Sequence, residues 1–484
     1  MTRSDLTYLE HVRPPGWVNP VPRAQYDLVV IGGGPAGHAA ATFALTLGLK
    51  VALVERARLG GNSLNAGSIP SKALVRSGRA FEQIVNSRAF GGPGQSDPAA
   101  DFSAVMQRMH AIRSRIAESV SAERLKGLGV DLFFGDASFT DRHTIAADGF
   151  TLHFTKALVA TGARPRALAI PGFAAAGYLT STSLFDLDRL PPRLAVIGGG
   201  PLGCEMAQTF AHMGCKVTIL QNDPKFLPRE ERDAAEILSL SLARSGVDTR
   251  LNTTIIGASL RDGEKVIEAE NNGVRYTLAV DEILVSIGRV ANSQELRLEA
   301  AGIAAAADGH IQIDDFLRTA NPDVYAAGDV CMPAKFANVA QASAEMAIRN
   351  AFTGGQLRYA GIVAPRCTYC DPEIAHIGLH IWDAKRRSIP VHTYTILMQD
   401  VDRSITDGRD DGFVKIHLRA GTDEIIGASI VASRASEMIN ELAVIMHARL
   451  GMRELAGIVH TYPAQSDAIR LAARAYMNSC RGPR

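Results

Sequence analysis

Cysteine is scarce in this chain, with six thiols in 484 residues. So sparse a set does not make the disulfide framework of a secreted scaffold, and a reducing, cytoplasmic compartment is expected. An excess of one charge is missing too. The 51 Lys and Arg face 50 Asp and Glu, a formal net charge of +1, so neither a general polyanion binder nor a nucleic-acid partner is expected. The opening MTRSDLTYLEHVRPPGW lacks the apolar stretch of a signal peptide. Uncharged apolar runs are short, with one exception. Residues 28–49 contain no Asp, Glu, Lys or Arg, but Gly32-Gly33-Gly34-Pro35 breaks the run near its start. A buried strand, a tight turn and an Ala-rich helix account for it better than a membrane span, and no membrane partner is expected. What remains is an ordinary globular composition: 46% hydrophobic and 21% charged residues exclude bulk disorder. The length suggests roughly three domains of ~150 residues.

The strongest internal signal is a repeat. Val30-Ile31-Gly32-Gly33-Gly34-Pro35-Ala36-Gly37 returns as Val196-Ile197-Gly198-Gly199-Gly200-Pro201-Leu202-Gly203. Each copy follows an apolar run, precedes a helical pattern, and is succeeded by a second strand pattern, KVALVE or KVTILQ. A lone GxGxxG is a weak signal, but two in matching β-turn-α-β context point to two dinucleotide sites. The glycines let backbone approach a pyrophosphate, whose charge faces a helix N-terminus. Two such sites in one chain suggest hydride exchange between two bound dinucleotides.

Between and beyond these copies the pattern changes. Residues 101–129 read as one amphipathic helix, with Phe102, Val105, Met109, Ile112 and Ile116 at helical spacing, after a surface loop GGPGQSDPAA. Alternating stretches around 151–162 and 266–280 predict β-meanders. After about residue 360 the runs YTILM, GFVKIHL and EIIGASIV give way to SEMINELAVIMHARLG and DAIRLAARAYMN, an α+β unit without a nucleotide fingerprint.

With these residues in view, the chain resembles the flavoprotein disulfide reductases, from about residue 24 to about 476. The signposts are Gly32–Gly37, Gly60-Gly61-Asn62 through Ile69-Pro70-Ser71-Lys72, Thr161-Gly162-Ala163, Gly198–Glu205, Ile287-Gly288-Arg289, Ala326-Ala327-Gly328-Asp329 and Asp371-Pro372-Glu373-Ile374-Ala375. DVDRSITDG and Tyr462-Pro463 look closest to the mercuric-reductase-like and dihydrolipoamide-dehydrogenase branch. The resemblance implies an α/β fold of two Rossmann-like domains plus a C-terminal α+β interface domain. The implied division is an FAD domain split over 24–164 and 286–360, an NAD(P) domain over 165–285, and a dimerisation domain over 361–484. FAD, NADH or NADPH as cosubstrate, and a homodimer follow from the same resemblance; no metal site does.

By resemblance, Gly32, Gly34, Gly37 and Glu55 meet the FAD adenosine half, Glu55 at the ribose diol. Gly61, Asn62, Lys72, Ala137, Thr161, Gly162 and Ala337 also belong to the implied FAD site, with Asp329 at the ribityl chain. Gly198, Gly200, Gly203, Glu205, Gln221 and Gly288 belong to the nicotinamide dinucleotide. A carboxylate at 221 would favour a free 2′-hydroxyl and a nearby Arg a 2′-phosphate; Gln221 is neither, with Lys225 and Arg229 within reach as phosphate partners or as solvated charges. Lys72 is implied to sit beside the flavin and pair with Glu205 where nicotinamide stacks.

The decisive departure is at the family's two redox cysteines, where this chain has Ser63 and Ser68. A serine hydroxyl neither cycles redox state nor ionises near neutrality, so disulfide-reductase chemistry is not expected there. Natural loss and deliberate Cys-to-Ser replacement fit the sequence equally. The acid–base His-Pro-Thr and its downstream Glu are also absent. Tyr462-Pro463-Ala464 and Asp467 stand there, with His460 upstream as a structural or substituting imidazole. Cys367 and Cys370 lie in a segment read as extended, too far apart for a disulfide, and read as structural thiols. Cys480 is a lone tail thiol, and Cys204, Cys215 and Cys331 read as buried apolar residues. The expected function is an FAD-dependent NAD(P)H oxidoreductase with a non-disulfide acceptor: quinone, dye, metal ion, oxygen or a second nicotinamide. Two alternatives stand beside it: an inactivated mercuric-reductase-like or dihydrolipoamide-dehydrogenase-like enzyme, and a flavin-carrying scaffold or sensor.

Overall fold

The computed structural model describes residues 3–94 and 100–481. Residues 95–99 of the expected surface loop lie outside this range. The protein is a mixed α/β fold with three sheet systems, each built on an apolar run seen in the sequence.

The first sheet has a parallel centre, ordered Asp131–Phe134, Val51–Glu55, Tyr26–Ile31, Phe150–Val159, with Val324–Ala326 alongside residues 157–159. Strand Phe150–Val159 serves twice: its first half continues an antiparallel meander with Thr144–Ala147, and its second half joins the parallel sheet. Residues 28–49 therefore form a buried strand and the helix Pro35–Thr46. Among the described residues, no helix is long and apolar enough to cross a membrane.

The second sheet repeats the parallel plan with Asp248–Arg250, Lys216–Leu220, Arg193–Ile197 and Glu282–Val285, and carries the antiparallel meander Thr253–Arg261, Glu264–Asn271, Val274–Val280. A short antiparallel ribbon, Ala163–Pro165 with Arg289–Ala291, carries the chain out to this unit and back. The third sheet is antiparallel, with five strands ordered Arg366–Thr368, Glu373–Gly378, Ile425–Ala432, Phe413–Arg419, Val391–Leu397, and packs against helices Ala435–His447 and Asp467–Ser479.

The expected single helix over 101–129 is corrected. The chain forms helix Phe102–Ala117, a 3₁₀ turn Glu118–Val120, and helix Ala122–Leu128. Ser121 is the reason: it adopts extended backbone and its Oγ accepts from Arg124 N, a cap that starts a new helix. Phe102, Val105 and Met109 are buried as expected, whereas Ile116 is exposed.

The edge strand Asp131–Phe134 is covered by the N-terminal strap. Asn19 accepts from Phe134 N at 2.8 Å and donates to Phe134 O at 3.0 Å, and Trp17 Nε1 donates to Leu132 O. Pairing the open backbone groups this way blocks edge-to-edge association.

One hydrophobic cluster joins all three units. Leu74 and Val75 of helix Ser68–Val85, Phe102, Phe210 of helix Pro201–His212, and Ile374 and Phe413 of the third unit share it. Phe210 is fully buried and lies 6.0 Å from the Phe102 ring. Phe210→Ala is expected to cost about 3–5 kcal/mol, measured as a lowered denaturant midpoint with all three units unfolding together; a loss below ~1 kcal/mol would refute this placement of the shared core.

Candidate active site

The two fingerprints are built alike. Strand Tyr26–Ile31 ends at Gly32, whose φ of 106° is a conformation reserved for glycine, and the chain turns into helix Pro35–Thr46. A Cβ on Gly37 would lie 1.8 Å from Gly32 O, so only glycine lets the helix sit against the turn. In the second copy a Cβ on Gly203 would lie 2.1 Å from Gly198 O. Neither helix has a side-chain cap, which leaves N–H groups and the positive helix end directed outward. This is a cradle that fits a pyrophosphate.

Each second strand leads into a side chain that returns to its turn, Glu55 at the strand's end and Gln221 just after it. Glu55 accepts from Gly33 N and from Ala57 N, both at 2.7 Å. Burial raises its pKa, and those two N–H bonds and nearby Arg13 and Arg56 work against the rise. Gln221 takes the equivalent place, its Oε1 accepting from Gly199 N at 2.8 Å.

Helices Ser68–Val85 and Pro201–His212 cross where Gly78 meets Thr209; a Cβ on Gly78 would be 3.1 Å from Thr209 O. One turn and more from that crossing, Lys72 Nζ donates to Glu205 Oε2 at 2.7 Å. Glu205 is only 3% exposed, and its other oxygen accepts from Tyr369 N at 2.9 Å. Lys72 Nζ also lies 4.4 Å from the Tyr369 ring centroid, a cation–π contact. Burial pushes the Tyr369 hydroxyl up to about 12, so it stays protonated. Tyr369 is absent from the sequence-based set; an aromatic two residues before Asp371-Pro372 gives no signal of what it will cover.

Ser63 lies on helix Gly61–Asn65 and Ser68 opens helix Ser68–Val85. A Cβ on Gly67 would be 2.7 Å from Asn62 O and 3.5 Å from Ser63 Cα, so the two turns are stacked. Ser68 and Lys72 stand four residues apart on one helix, hence on one face. Asn62 Nδ2 donates to Ala163 O at 2.6 Å, tying this element to the 161–163 turn, where Thr161 and Asn292 exchange hydrogen bonds. Asp329 is half-buried, 3.6 Å from Arg289 Nε, and burial raises its pKa. Arg289 donates through Nη2 to Ala163 O, while its Nε is buried without a hydrogen bond. That unsatisfied donor fits a polar ligand at this edge. Ala337 opens helix Ala337–Phe352, whose N-terminus has no side-chain cap, and Ala137 begins strand Ala137–Asp141. Gly288 has a φ of 100° and open space around it.

Residues 26–347 match the family described as pyridine nucleotide-disulphide oxidoreductase, and residues 364–473 match its dimerisation domain. The chain belongs to this family. It is 31% identical to a mercuric reductase of Staphylococcus aureus over 93% of this chain and 82% of that protein. It is 32% identical to a dihydrolipoyl dehydrogenase of Geobacillus stearothermophilus over 92% of this chain and 95% of that one. A Cu(II) complex of the HOCl-induced flavoprotein disulfide reductase RclA from Escherichia coli superimposes with a TM-score of 0.84 at 27% identity, over 94% and 100% of the chains. Members of the pyridine nucleotide-disulphide oxidoreductase family use FAD and NAD(P)H, and the homologues are FAD-dependent oxidoreductases. The glycine cradles, Glu55 and the unsatisfied Arg289 donor fit that pair of dinucleotides.

Tyr462, Asp467 and His460 are not brought to the Lys72–Glu205 pair within the chain of this family member. Tyr462 is 68% exposed and donates to Asp402 at 2.6 Å, a bond that pushes its phenol pKa up. Both oxygens of Asp467 accept from Arg470, at 2.5 and 2.8 Å, one helical turn away. His460 Nε2 is 2.6 Å from Glu441.

All six cysteines are free. The strand read through Cys367 and Cys370 stops at Thr368, and the chain bends at Cys370 to Pro372 because Gln208 and Ser241 hydrogen-bond the backbone of Asp371. Cys204, Cys215 and Cys370 are buried, whereas Cys331 is half-buried rather than fully so, since it closes a short 3₁₀ turn at the surface of its cluster. Burial pushes the thiols of Cys204, Cys215, Cys331, Cys367 and Cys370 up, Cys215 to about 12. Cys480 alone is exposed. Among the described residues, no group of three or more His, Cys, Asp or Glu is arranged to hold a metal ion. A thiol-reactive chromophore at neutral pH is therefore expected to modify one cysteine per native chain, and none after Cys480→Ser. Rapid modification of a second thiol would contradict this.

Proposed function

We propose that this chain is an FAD-dependent NAD(P)H oxidoreductase that delivers electrons to a non-disulfide acceptor: a quinone, dye, metal ion, oxygen or second nicotinamide. FAD when bound supplies the two-electron carrier, and with a quinone the balance is NAD(P)H + H⁺ + quinone → NAD(P)⁺ + hydroquinone. The observation that carries the reading is the pairing of an intact Lys72–Glu205–Tyr369 arrangement with hydroxyls at positions 63 and 68. On this reading the serines occupy the positions of the family's redox cysteines and serve as hydrogen-bonding walls.

The FAD domain is assigned to 24–164 and 286–360, the NAD(P) domain to 165–285, and the interface domain to 361–484. Gly32, Gly34, Gly37 and Glu55 bind the adenosine half, and Gly61, Asn62, Thr161, Gly162, Ala137, Asp329 and Ala337 bind the remainder. Gly198, Gly200, Gly203, Gln221 and Gly288 bind the nicotinamide dinucleotide. Buried Glu205 holds the Lys72 ammonium in place, and the partly exposed Nζ presents charge to the reacting edge. Tyr369 lies against the Lys72 ammonium from the third unit and holds it through its ring face. The oxygen of Gln221 accepts from Gly199, leaving an NH₂ donor that suits a 2′-phosphate better than a diol, which favours NADPH. A homodimer in a cytoplasmic setting completes the reading, with exposed Tyr462 of each subunit facing the other's site; the match to a dimerisation domain supports it. The metal-ion member of the acceptor class draws support from a Cu(II) complex of RclA.

Steady-state assays are expected to show NAD(P)H oxidation with menadione or ferricyanide and none with glutathione disulfide, lipoamide or mercuric ion. Turnover of a disulfide by the unmodified chain would overturn the proposal. The Ser63→Cys, Ser68→Cys double variant separates it from an inactivated relative, since only the latter gains disulfide or mercuric-ion turnover. Absence of oxidation with every acceptor would favour the scaffold.

A further inference from the structure

Helix Arg3–Val12 and the turn that follows precede the family match, which begins at residue 26, yet they reach the heart of the first fingerprint. Tyr8 is 3% exposed, and its hydroxyl donates to Asn65 Oδ1 at the end of the helix that carries Asn62 and Ser63. Two guanidinium groups lie against its ring, Arg113 at 4.5 Å and Arg58 at 5.8 Å from the centroid. Asn65 in turn donates to the carbonyls of Leu59 and Arg58, at 3.1 and 3.3 Å. Val12 O accepts from Leu59 N at 3.0 Å, and Arg13 Nη1 donates to Arg56 O and Ala57 O at 2.7 and 2.9 Å. On the far side helix Arg3–Val12 is fixed to helix Phe102–Ala117, where Asp5 meets His110 at 3.0 Å.

The loop so held is the one that connects Glu55 to Ser63. Ala57 N is a donor to Glu55, Gly60 N donates to Gly33 O at 2.8 Å, and Leu59 packs so closely on Gly33 that a Cβ there would be 2.6 Å from its Cδ2. A free loop of this length would lose conformational entropy on closing around a ligand; a loop already tied at residues 56, 57, 58, 59 and 65 does not. We propose that Tyr8 and Arg13 are positioning residues for FAD: the N-terminal helix is a clamp that presets the 56–65 loop, and through it the Glu55 carboxylate and the Asn62–Ser63 turn. The inference rests on the reading that FAD occupies the Gly32–Gly37 cradle and Glu55.

The test measures the FAD Kd of apoprotein by flavin fluorescence, with apoprotein Tm alongside. Tyr8→Phe keeps the ring against its two arginines and removes only the hydrogen bond. Arg13→Lys keeps the charge near Glu55 and loses the reach to two carbonyls. Each is expected to raise Kd about five-fold, the loss of one net hydrogen bond, with apoprotein Tm little changed. In a Glu55→Gln background the Arg13→Lys effect is expected to shrink, because the two act in series. Unchanged Kd in both variants, or an Arg13→Lys effect undiminished in the Glu55→Gln background, overturns the clamp. A fall in Tm with Kd unchanged makes the helix a mere strut and also overturns it. If Glu55→Gln itself leaves Kd unchanged, the placement of FAD is what fails.

Discussion

Everything at the candidate site depends on one ion pair. Lys72 and Glu205 come from helices in different units and meet at 2.7 Å, with the carboxylate almost wholly buried. A buried carboxylate needs both of its oxygens satisfied, and here the second is met by the Tyr369 amide from the third unit. Three units of the chain are thus pinned at one point, and the shared cluster around Phe210 and Leu74 lies behind it. Helix Ser68–Val85 of the first cradle-bearing unit and helix Pro201–His212 of the second are thereby fixed to one another at the pair.

On the proposed reading the chemistry at this point is narrower than in a disulfide reductase of the same fold. Ser68 shares a helix face with Lys72, and Ser63 stacks against the same turn, so both hydroxyls belong to the neighbourhood of the pair. Neither stores electrons. The thiols nearby, half-buried Cys367 and buried Cys370, are held well above the ordinary thiol pKa by burial, which disfavours the thiolate that exchange would use. On the proposed reading the polypeptide contributes charge and shape, and the redox capacity would reside in the dinucleotides it binds.

Much of the fold was legible in the sequence because it is encoded locally. The paired GxGxxG turns, the strand runs and the helical spacing from 435 onward all depend on neighbours within a few residues, and each element appears where its pattern stands. The single helix over 101–129 failed for an equally local reason that the periodicity hid, the cap at Ser121. The candidate site was legible only through resemblance. Lys72 and Glu205 carry no mark of each other in the sequence, and the roles of Tyr369, the unsatisfied Arg289 and the helix Arg3–Val12 arise from long-range packing that no spacing announces.

The most direct test of the account is an anaerobic titration of the purified flavoprotein with NADPH and, separately, NADH, followed by flavin absorbance. A protein whose only redox centre is FAD is expected to bleach fully at about one equivalent of reduced coenzyme per flavin, with NADPH the tighter reductant. Uptake of a second equivalent before full bleaching would reveal another redox centre and contradict the account.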